Sequence, residues 1–474
     1  MTEPYPLEPW RVPGFLDARD GHLTVDGIDM VELARAHGTP LMVFSEARIR
    51  RNARAIRAAI GGAAARHRVC YAAKACAHNA ILRVVRDEGL SLEVNSGGEL
   101  AKARHAGFSD DAIVFNGVAK TADDLRAAMT PAIKAINVDS LFELQRIVDL
   151  AAAEGLTANV ALRLAPGLSG ATVPGNDTGA ATGKFGLAAT ELSTALDLLG
   201  SQDNRVRLRG LHVHVGSQIA SAAVYAEAAR FALARIAEAE DRLGRRLDHV
   251  NLGGGFPLDY VKADRADAVA LRPGLGAAAI AAALREASVA RPDLELVMEP
   301  GRAVVGDAAV LLTRVEGMKT RAGEPWLVLD AGYNVIVESF SYKWYFHALT
   351  ANRAEARDTA RFRLAGPLCD SGDAFHDVDG EGLVARLLAA APAMAAFETV
   401  LRQNLVRLPS HRLLPMATGP GDLIAFLDVG AYSVETMTPN NGHPRPTVLM
   451  LGTDGRPAVM RPRDSLARLV ADEL

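Results

Sequence analysis

A lysine closes an apolar, β-prone run at residues 69–74 (VCYAAK). An amine at the end of a buried strand meets apolar surroundings, which disfavour its charged form. A neutral amine is a nucleophile and can form a Schiff base with an aldehyde such as pyridoxal phosphate. Most lysines after strands are simply solvated, so assigning chemistry to Lys74 depends on what else the chain supplies.

The first additional feature is a run of three glycines that could bind a phosphate. Gly253, Gly254 and Gly255 follow the β-prone run 249–252, and glycines let a backbone approach a phosphate closely and offer amide donors. The hydroxyl of Ser217 would add a contact to the same phosphate. The alternative for an isolated triple glycine is an ordinary tight turn.

Two histidines that lie two residues apart are candidates to place a planar ring against a cofactor. On one strand, His212 and His214 would point to the same face, and the one at the strand end could stack on a cofactor ring. A metal site would need further ligands that the sequence does not show nearby. Core packing is the other alternative for either histidine.

A carboxylate and an arginine end another apolar run. Glu299 could keep a pyridine nitrogen protonated, which makes the ring an electron sink. Arg302, after Gly301, has the shape to bind a carboxylate or a phosphate. A surface salt bridge is the alternative.

Three residues further along complete the candidate chemistry. The thiol of Cys369 could donate a proton beside a reacting carbon, and the carboxylate of Asp370 could hold an ammonium group. The phenol of Tyr432 could hydrogen-bond a phosphate. A capped turn at 369–373 and a core tyrosine are the alternatives.

A repeating β–α rhythm would position these residues. Polar or glycine residues stand at the ends of successive β-prone runs, and helical patterns separate the runs. Eight such pairs predict a (β/α)8 TIM barrel, whose strand C-termini carry the active site, rather than an open doubly wound sheet. The runs are 69–74, 91–95, 112–116, 135–139, 159–164, 208–214, 248–252 and 294–299.

Beyond about residue 304 the rhythm changes to strands with few helices, which predicts a mainly antiparallel β domain. We expect residues 1–40 to join that domain, residues 41–303 to form the barrel, and residues 304–474 to form the remainder. A helical insert, expected to pack on the surface, interrupts the β domain at 380–403.

The bulk composition excludes several classes of protein. The 474 residues carry 52 basic and 56 acidic side chains, for a net charge of −4, without a basic run. Nothing therefore points to nucleic acid or a membrane as partner. Only three cysteines and no apolar signal core indicate a cytoplasmic protein.

Together these motifs resemble the fold-type III pyridoxal phosphate-dependent decarboxylases, the group of diaminopimelate and ornithine decarboxylases, and most closely the diaminopimelate branch. The resemblance covers about residue 40 to the C-terminus and implies an alanine racemase-like TIM barrel with a β domain built from both chain ends. The matching segments are YAAKA (71–75), EVNSGGEL (93–100), NVDS (137–140), KFG (184–186), HVHVGSQ (212–218), NLGGGFP (251–257), EPGR (299–302), GPLCDSGD (366–373), GDL (421–423) and GAY (430–432).

The resemblance also implies roles. Lys74 would carry pyridoxal 5'-phosphate, His214 would stack on its ring, and Glu299 would pair with its pyridine nitrogen. The residues around the phosphate would be Ser217, Gly253, Gly254, Gly255, Gly301, Arg302 and Tyr432. Such enzymes are usually homodimers with composite active sites, to which Cys369 and Asp370 would contribute across the interface.

The distal substrate pocket departs from the family pattern. Diaminopimelate decarboxylases carry an arginine soon after an Asp-Gly-Gly segment, yet residues 330–347 contain none. Asp370 stands where they have glutamate, Phe346 where ornithine decarboxylases have aspartate, and Asn440 where an aromatic residue is usual. We expect Tyr345, with Tyr342, Trp344 and Phe346, to form a larger aromatic substrate pocket.

These observations predict an amino-acid α-decarboxylase with a small-molecule substrate different from diaminopimelate. Cys369 or Lys74 would protonate the α-carbon after carbon dioxide leaves. The alternatives are an authentic diaminopimelate decarboxylase of lysine biosynthesis, an amino-acid racemase on the same cofactor, and a non-catalytic cofactor-binding protein.

Overall fold

The computed structural model describes residues 7–168, 178–180, 182–200, 205–262, 273–471 and 473. They divide into two compact units. The barrel unit consists of Ile49–Leu258 and Pro273–Val305, and the β unit consists of Met1–Arg48, Asp259–Arg272 and Gly306–Leu474. No helix in the described part of the chain combines the length and the apolar character that crossing a bilayer requires.

The chain begins with short strands and one helix that belong to the β unit. The helix starts where the Asp29 side chain accepts hydrogen bonds from the backbone N–H groups of Val31 and Glu32. The first three strands form a small antiparallel sheet. These elements are β1 (Leu16–Arg19), β2 (His22–Val25), β3 (Ile28–Asp29), α1 (Met30–His37) and β4 (Leu41–Ser45).

Within the described residues, eight parallel strands close into a barrel, which confirms the predicted (β/α)8 architecture. Its strands are β5 (His67–Ala72), β6 (Ser91–Val94), β7 (Ile113–Phe115), β8 (Ala135–Val138), β9 (Ala158–Arg163), β10 (Val206–His212), β11 (His249–Asn251) and β12 (Glu295–Met298). The helices around it are α2 (Glu46–Ala63), α3 (Asn79–Asp87), α4 (Gly97–His105), α5 (Ala122–Met129), α6 (Leu141–Glu154), α7 (Leu192–Gly200), α8 (Ala222–Leu243), α9 (Ala277–Ala290) and α10 (Arg302–Val305).

Local sequence explains where the barrel helices begin and end. At the start of α5, Thr121 and Asp124 form a reciprocal capping box. Helix α6 is capped at its start by Ser140, whose hydroxyl accepts from the N–H of Glu143, and at its end by Gly155, which has φ +68°. Because all the barrel strands run parallel, their carboxyl ends and the following loops meet at one end of the barrel.

The second part of the β unit contains a larger, mostly antiparallel sheet, which confirms the predicted β domain. In the described residues β4 is central to it, pairing antiparallel with β13 and parallel with β19. The elements are β13 (Ala309–Arg321), β14 (Glu324–Leu329), α11 (Glu338–Ser341), β15 (Ala348–Thr350), β16 (Thr359–Ala365), α12 (Gly380–Ala390), α13 (Glu398–Leu405), β17 (Arg412–Pro415), β18 (Leu423–Leu427), β19 (Thr447–Leu451), β20 (Pro457–Arg461) and α14 (Leu466–Val470).

This division differs in two places from the predicted domain boundaries. Strand β4 lies in the β unit, so the chain passes to the barrel unit after Arg48 rather than at residue 41. Residues 259–272 also belong to the β unit, although barrel segments lie on both sides of them in sequence. Helices α12 and α13 lie in the predicted insert, and Val384 is a buried residue of α12.

Candidate active site

Lys74 lies just beyond the end of β5, at the carboxyl end of the barrel. A 3-10 turn over Ala73–Ala75 carries it, and Gly301 packs so closely there that a Cβ on it would lie 3.0 Å from the Cβ of Ala72. The Lys74 side chain is 41% exposed, and its Nζ lies 3.9 Å from Oε1 of Glu93. The expected apolar surroundings are therefore wrong: the turn brings the amine out of the strand and beside a carboxylate.

Glu299 follows β12 at the same end of the barrel and is buried. Asn251 donates to its Oε1 at 2.6 Å, and Asn116 donates to its Oε2 at 3.0 Å. Nε2 of His212 lies 3.4 Å from Oε2, close enough for attraction but not aligned as a hydrogen bond. Burial alone would raise the pKa of Glu299, but His212 and Asn251 outweigh it and lower that pKa. Glu299 is thus an ionised, buried carboxylate and not a surface salt bridge.

Glu93, Asn116 and Asn251 are residues to which the sequence argument gave no role. Glu93 lies on β6 with no exposed surface, and Asn251 ends β11. The available sign was a polar residue inside, or directly after, an otherwise apolar strand, since such groups are rarely buried without a partner. Glu93, the first residue of the motif EVNSGGEL, is a polar residue of this kind.

The three glycines form the loop after β11. Gly253 donates its N–H to Oδ1 of Asn251 at 2.9 Å, and Gly254 donates its N–H to Nδ1 of His214 at 3.1 Å. Two of the three amides predicted to bind a phosphate are therefore already engaged within the barrel. Close packing also requires a glycine here, since a Cβ on Gly254 would lie 2.2 Å from the carbonyl oxygen of Glu299.

His214 lies in the loop after β10, because the strand ends at His212. Burial, with the positive charges of Lys74 and Arg163, lowers the pKa of His214 well below its usual value. Since its Nδ1 accepts from Gly254, the ring is neutral with its proton on Nε2. A neutral ring at the barrel mouth is suited to stacking on a cofactor.

The same loop packs on the last glycine. Ile219 donates its N–H to the carbonyl of Gly255 at 3.1 Å. Ser217, which is half-buried, lies two residues before Ile219. Gly255 has φ +88°, and a Cβ there would lie 2.5 Å from the carbonyl oxygen of Gly216. Only glycine fits this left-handed, crowded position. The structure thus brings the serine loop and the glycine loop together.

Gly301 and Arg302 stand where the chain enters α10. Gly301 lies against the turn that carries Lys74, as described above. The Arg302 side chain is only 4% exposed. Because its side chain is buried, Arg302 can contribute to a site through its backbone N–H more readily than by extending its guanidinium group into solvent.

Cys369 and Asp370 lie in the β unit, in the loop after β16. Cys369 is exposed, and its N–H donates to Oδ1 of Asn441 at 2.9 Å. Asp370 accepts from the N–H of Gly372 and from the hydroxyl of Tyr333, both at 2.8 Å. These two hydrogen bonds, the backbone one first, lower the pKa of Asp370. The loop presents an exposed thiol next to an ionised carboxylate.

Asp373 holds that loop in shape. Its carboxylate accepts from the backbone N–H groups of Tyr333 and Leu368, at 2.8 and 2.9 Å. A Cβ on Gly332 or Gly366 would lie within 2.5 Å of it. The capped turn considered as the alternative therefore exists: Asp370 itself caps it through the N–H of Gly372, and Asp373 fixes the backbone around it.

Three of the four residues expected to form an aromatic substrate pocket lie in the interior of the β unit. Trp344, Tyr345 and Phe346 are all buried. Tyr260 packs edge-on against both Trp344 and Phe346, with ring centroids 5.2 and 5.8 Å apart. The hydroxyl of Tyr345 lies 3.0 Å from Nδ1 of His347, and the guanidinium of Arg412 lies over its ring. These rings form core of the β unit.

Two further residues of the β unit concern the substrate. Tyr432 is half-buried after β18 and has a left-handed φ of +61°. Glu338 begins α11 and is 7% exposed, within the segment where the resemblance would place an arginine. The missing arginine is visible in the sequence, whereas the burial of Glu338 is apparent only in the structure.

A (β/α)8 barrel with this set of groups at its carboxyl end defines a class of enzyme. An accessible lysine, an ionised buried carboxylate, a neutral histidine and a glycine loop fit the aldehyde, the pyridine nitrogen, the ring face and the phosphate of pyridoxal phosphate. The molecule therefore has the architecture of a pyridoxal phosphate-dependent enzyme.

Comparison with known proteins identifies the family. The family described as "Pyridoxal-dependent decarboxylase, pyridoxal binding domain" matches residues 46–306. Diaminopimelate decarboxylases from Archaeoglobus fulgidus and Bacillus subtilis are 31% and 32% identical to this chain. Their alignments cover 95% and 85% of this chain, and 96% and 92% of the relatives. The chain belongs to the pyridoxal-dependent decarboxylase family.

Solved structures agree with this assignment. The diaminopimelate decarboxylase from M. jannaschii, in a complex with L-lysine, superposes with a TM-score of 0.81 at 29% identity, covering 97% of this chain and 98% of that one. The protein is a pyridoxal phosphate-dependent amino-acid decarboxylase with a small-molecule substrate. This favours decarboxylation over the racemase and the non-catalytic alternatives.

Proposed function

We propose that Lys74 carries the cofactor and that Glu299 and His214 set its electronic state. The bound cofactor supplies the electron sink that accepts the electrons of the breaking bond between the α-carbon and the carboxylate. Glu299 holds a fixed negative charge, which keeps a pyridine nitrogen beside it protonated. His214 offers a neutral ring to the face of the cofactor. Burial keeps Glu299 and His214 away from bulk water, where their interactions would weaken.

The phosphate would lie among the loops after β10, β11 and β12. Ser217 offers a hydroxyl, Gly255 a close backbone approach, and the Gly301–Arg302 backbone the start of α10. Gly253 and Gly254 serve mainly to hold Asn251 and His214, since their amides already donate to those side chains. Tyr432 would add its phenol.

Protonation of the α-carbon requires an acid on the reacting side. Cys369 and Lys74 are the candidates: the thiol is exposed, and the amine lies beside the carboxyl group of Glu93. The composite site implied by the family pattern would bring Cys369 and Asp370 from the partner of a homodimer. A cytoplasmic location fits the small number of cysteines.

For the substrate, we infer an amino acid whose distal end carries no carboxylate. The supporting observation is the segment 330–347, which has no arginine and whose only lysine, Lys343, is exposed. The segment also contains the buried side chain of Glu338. A distal carboxylate would find no buried cation in this segment, whereas a distal amine or hydroxyl would not need one. Asp370 offers a second acceptor for the same kind of group.

A second candidate is diaminopimelate itself. Its support is that relatives named diaminopimelate decarboxylase align over nearly the whole chain. The missing arginine and the buried Glu338 argue against it, because a doubly zwitterionic substrate needs a cation at its far end.

Carbon dioxide release on a substrate panel distinguishes the two. The panel contains meso-diaminopimelate, L-lysine, L-ornithine, L-arginine and amino acids with neutral distal amides or hydroxyls. We expect kcat/KM for diaminopimelate to be at least about tenfold below that of the best substrate, which corresponds to ~1.4 kcal/mol. A preference for diaminopimelate by that margin would contradict the proposal.

The variant Glu338→Arg sharpens this experiment. It should raise kcat/KM for diaminopimelate relative to the other substrates, because it restores a cation in the segment. Lys343→Arg, which keeps an exposed cation in the same segment, is the matched control and should leave the preference unchanged. The ratio of two substrates on one preparation is insensitive to partial unfolding.

A further inference from the structure

Two buried carboxylates in the barrel share a single amide group. Nδ2 of Asn116 donates to Oε1 of Glu93 at 2.8 Å and to Oε2 of Glu299 at 3.0 Å. The exposed fractions of Asn116, Glu93 and Glu299 are 4%, 0% and 5%. The three residues come from β6 and from the ends of β7 and β12, so the amide joins strands that are far apart in sequence.

A neighbour fixes the orientation of the shared amide. Nδ2 of Asn137 donates to Oδ1 of Asn116 at 2.7 Å. With its oxygen accepting from Asn137, Asn116 has two N–H bonds left, one for each carboxylate. The amide cannot rotate by 180° without placing its oxygen against two carboxylates.

The two carboxylates differ in the rest of their surroundings. Glu299 accepts a second hydrogen bond from Asn251 and has His212 beside it, as described above. Among the described residues, Oε2 of Glu93 is buried with no hydrogen-bond partner. An oxygen in that position is far better tolerated as part of a neutral acid than as half of a carboxylate.

Charge repulsion points the same way. Two buried carboxyl groups that accept hydrogen bonds from the same amide nitrogen lie close together, so ionising both costs a large electrostatic free energy. Burial raises the pKa of Glu93 to about 7, opposed by Lys74, reinforced by Glu299 and Glu99, and opposed by the hydrogen bond from Asn116. The guanidinium of Arg163 also interacts with both carboxyl groups.

We propose that the pair is singly protonated, with Glu93 as the acid and Glu299 as the anion, and that Asn116 is a positioning residue whose shared amide holds the two carboxyl groups together. The negative charge then stays beside the cofactor, while an acid stands 3.9 Å from Nζ of Lys74. When the lysine amine is released during turnover, a proton can pass from Glu93 to it: the O–H bond breaks, an N–H bond forms, and the total charge is unchanged. The flexible Lys74 side chain covers the remaining distance.

The visible absorption of the bound cofactor, titrated with pH in the holoenzyme, tests this inference. A charge change at Glu93 beside Lys74 should give a transition near pH 7. In Glu93→Gln, which is neutral at every pH, that transition should disappear. In Asn116→Ala it should move to higher pH by about one unit, because a hydrogen bond that favours the ionised form of Glu93 is lost.

Asn251→Ala is the matched control, since it removes an asparagine donor from Glu299 without touching Glu93. Its transition should stay within a few tenths of a pH unit of the wild type. A loss of packing alone would lower cofactor occupancy in either asparagine variant without moving the midpoint. An unmoved midpoint in Asn116→Ala, or an equal shift in Asn251→Ala, would overturn the inference.

Infrared spectroscopy of the holoenzyme gives a second measurement that does not depend on Asn116→Ala folding. Wild type at pH 6 should show the carbonyl band of a protonated carboxyl group that Glu93→Gln lacks. If the two proteins show the same carboxyl bands, Glu93 carries no proton and the inference is wrong.

Discussion

Lys74 is the residue to which we propose that the cofactor is covalently attached. Replacing it with alanine removes the amine, and replacing it with arginine leaves a charge that cannot be deprotonated in a protein. We expect both variants to lose the visible absorption of attached cofactor and to lower kcat by about a thousandfold or more.

The measurement is a visible spectrum, followed by borohydride reduction and peptide mapping. Exposed Lys319 of β13 provides the control, and Lys319→Ala should retain both colour and activity. Labelling at any lysine other than Lys74, or normal turnover by Lys74→Arg, would refute the assignment.

Single residues show how far sequence alone reaches into this site. Lys74 and Glu299 could be predicted because each ends an apolar run, and in a parallel barrel all such ends share one face. The bridge through Asn116 could not, because it depends on the side-chain geometry of three strands whose sequences say nothing about one another. The internal use of the Gly253 and Gly254 amides was hidden for the same reason.

At the scale of elements, the loop after β11 gives the clearest prediction. In Gly255→Ala, the left-handed φ costs about 1–2 kcal/mol, and the new Cβ also collides with the carbonyl of Gly216. We expect the loop to shift and the affinity for pyridoxal phosphate to fall by about tenfold or more.

The matched control is Gly155→Ala at the end of α6. That glycine has φ +68° and open space around it, so the variant should lose about 1 kcal/mol of stability and no cofactor affinity. Titration of the cofactor-free protein with pyridoxal phosphate, monitored by absorbance, compares the two. Equal affinities would show that the loop does not contact the phosphate.

The barrel was predictable and the aromatic run was not, for one physical reason. Alternation of strands and amphipathic helices is a local property, so the β–α rhythm indicated the barrel directly. Whether Trp344 and Phe346 face a pocket or a core depends on their partner, Tyr260. That residue lies in a segment which the chain contributes to the β unit from between two barrel strands, and no local pattern reveals such a neighbour.

At the scale of the whole molecule, composite active sites make a quantitative prediction. Lys74→Ala and Cys369→Ala would disable different components of one site. If each site takes Cys369 from the partner subunit, a mixed dimer of the two variants contains one intact site. Random reassortment then restores about a quarter of wild-type activity.

Activity after mixing, unfolding and refolding the two inactive variants together checks this prediction, with each variant refolded alone as the control. Size measurement by light scattering should give a dimer. A mixture no more active than its components would mean that each chain supplies its own site.

The place of β4 in the β unit has a consequence for how the molecule is made. Strand β4 ends at Ser45, yet its neighbours in the sheet begin only at Ala309 and Thr447. A nascent chain therefore carries a wholly apolar segment (LMVF) without its strand partners until those strands have been synthesised. Premature termination would leave that segment permanently exposed, so truncated chains should be cleared by quality control or aggregate instead of persisting as isolated barrels.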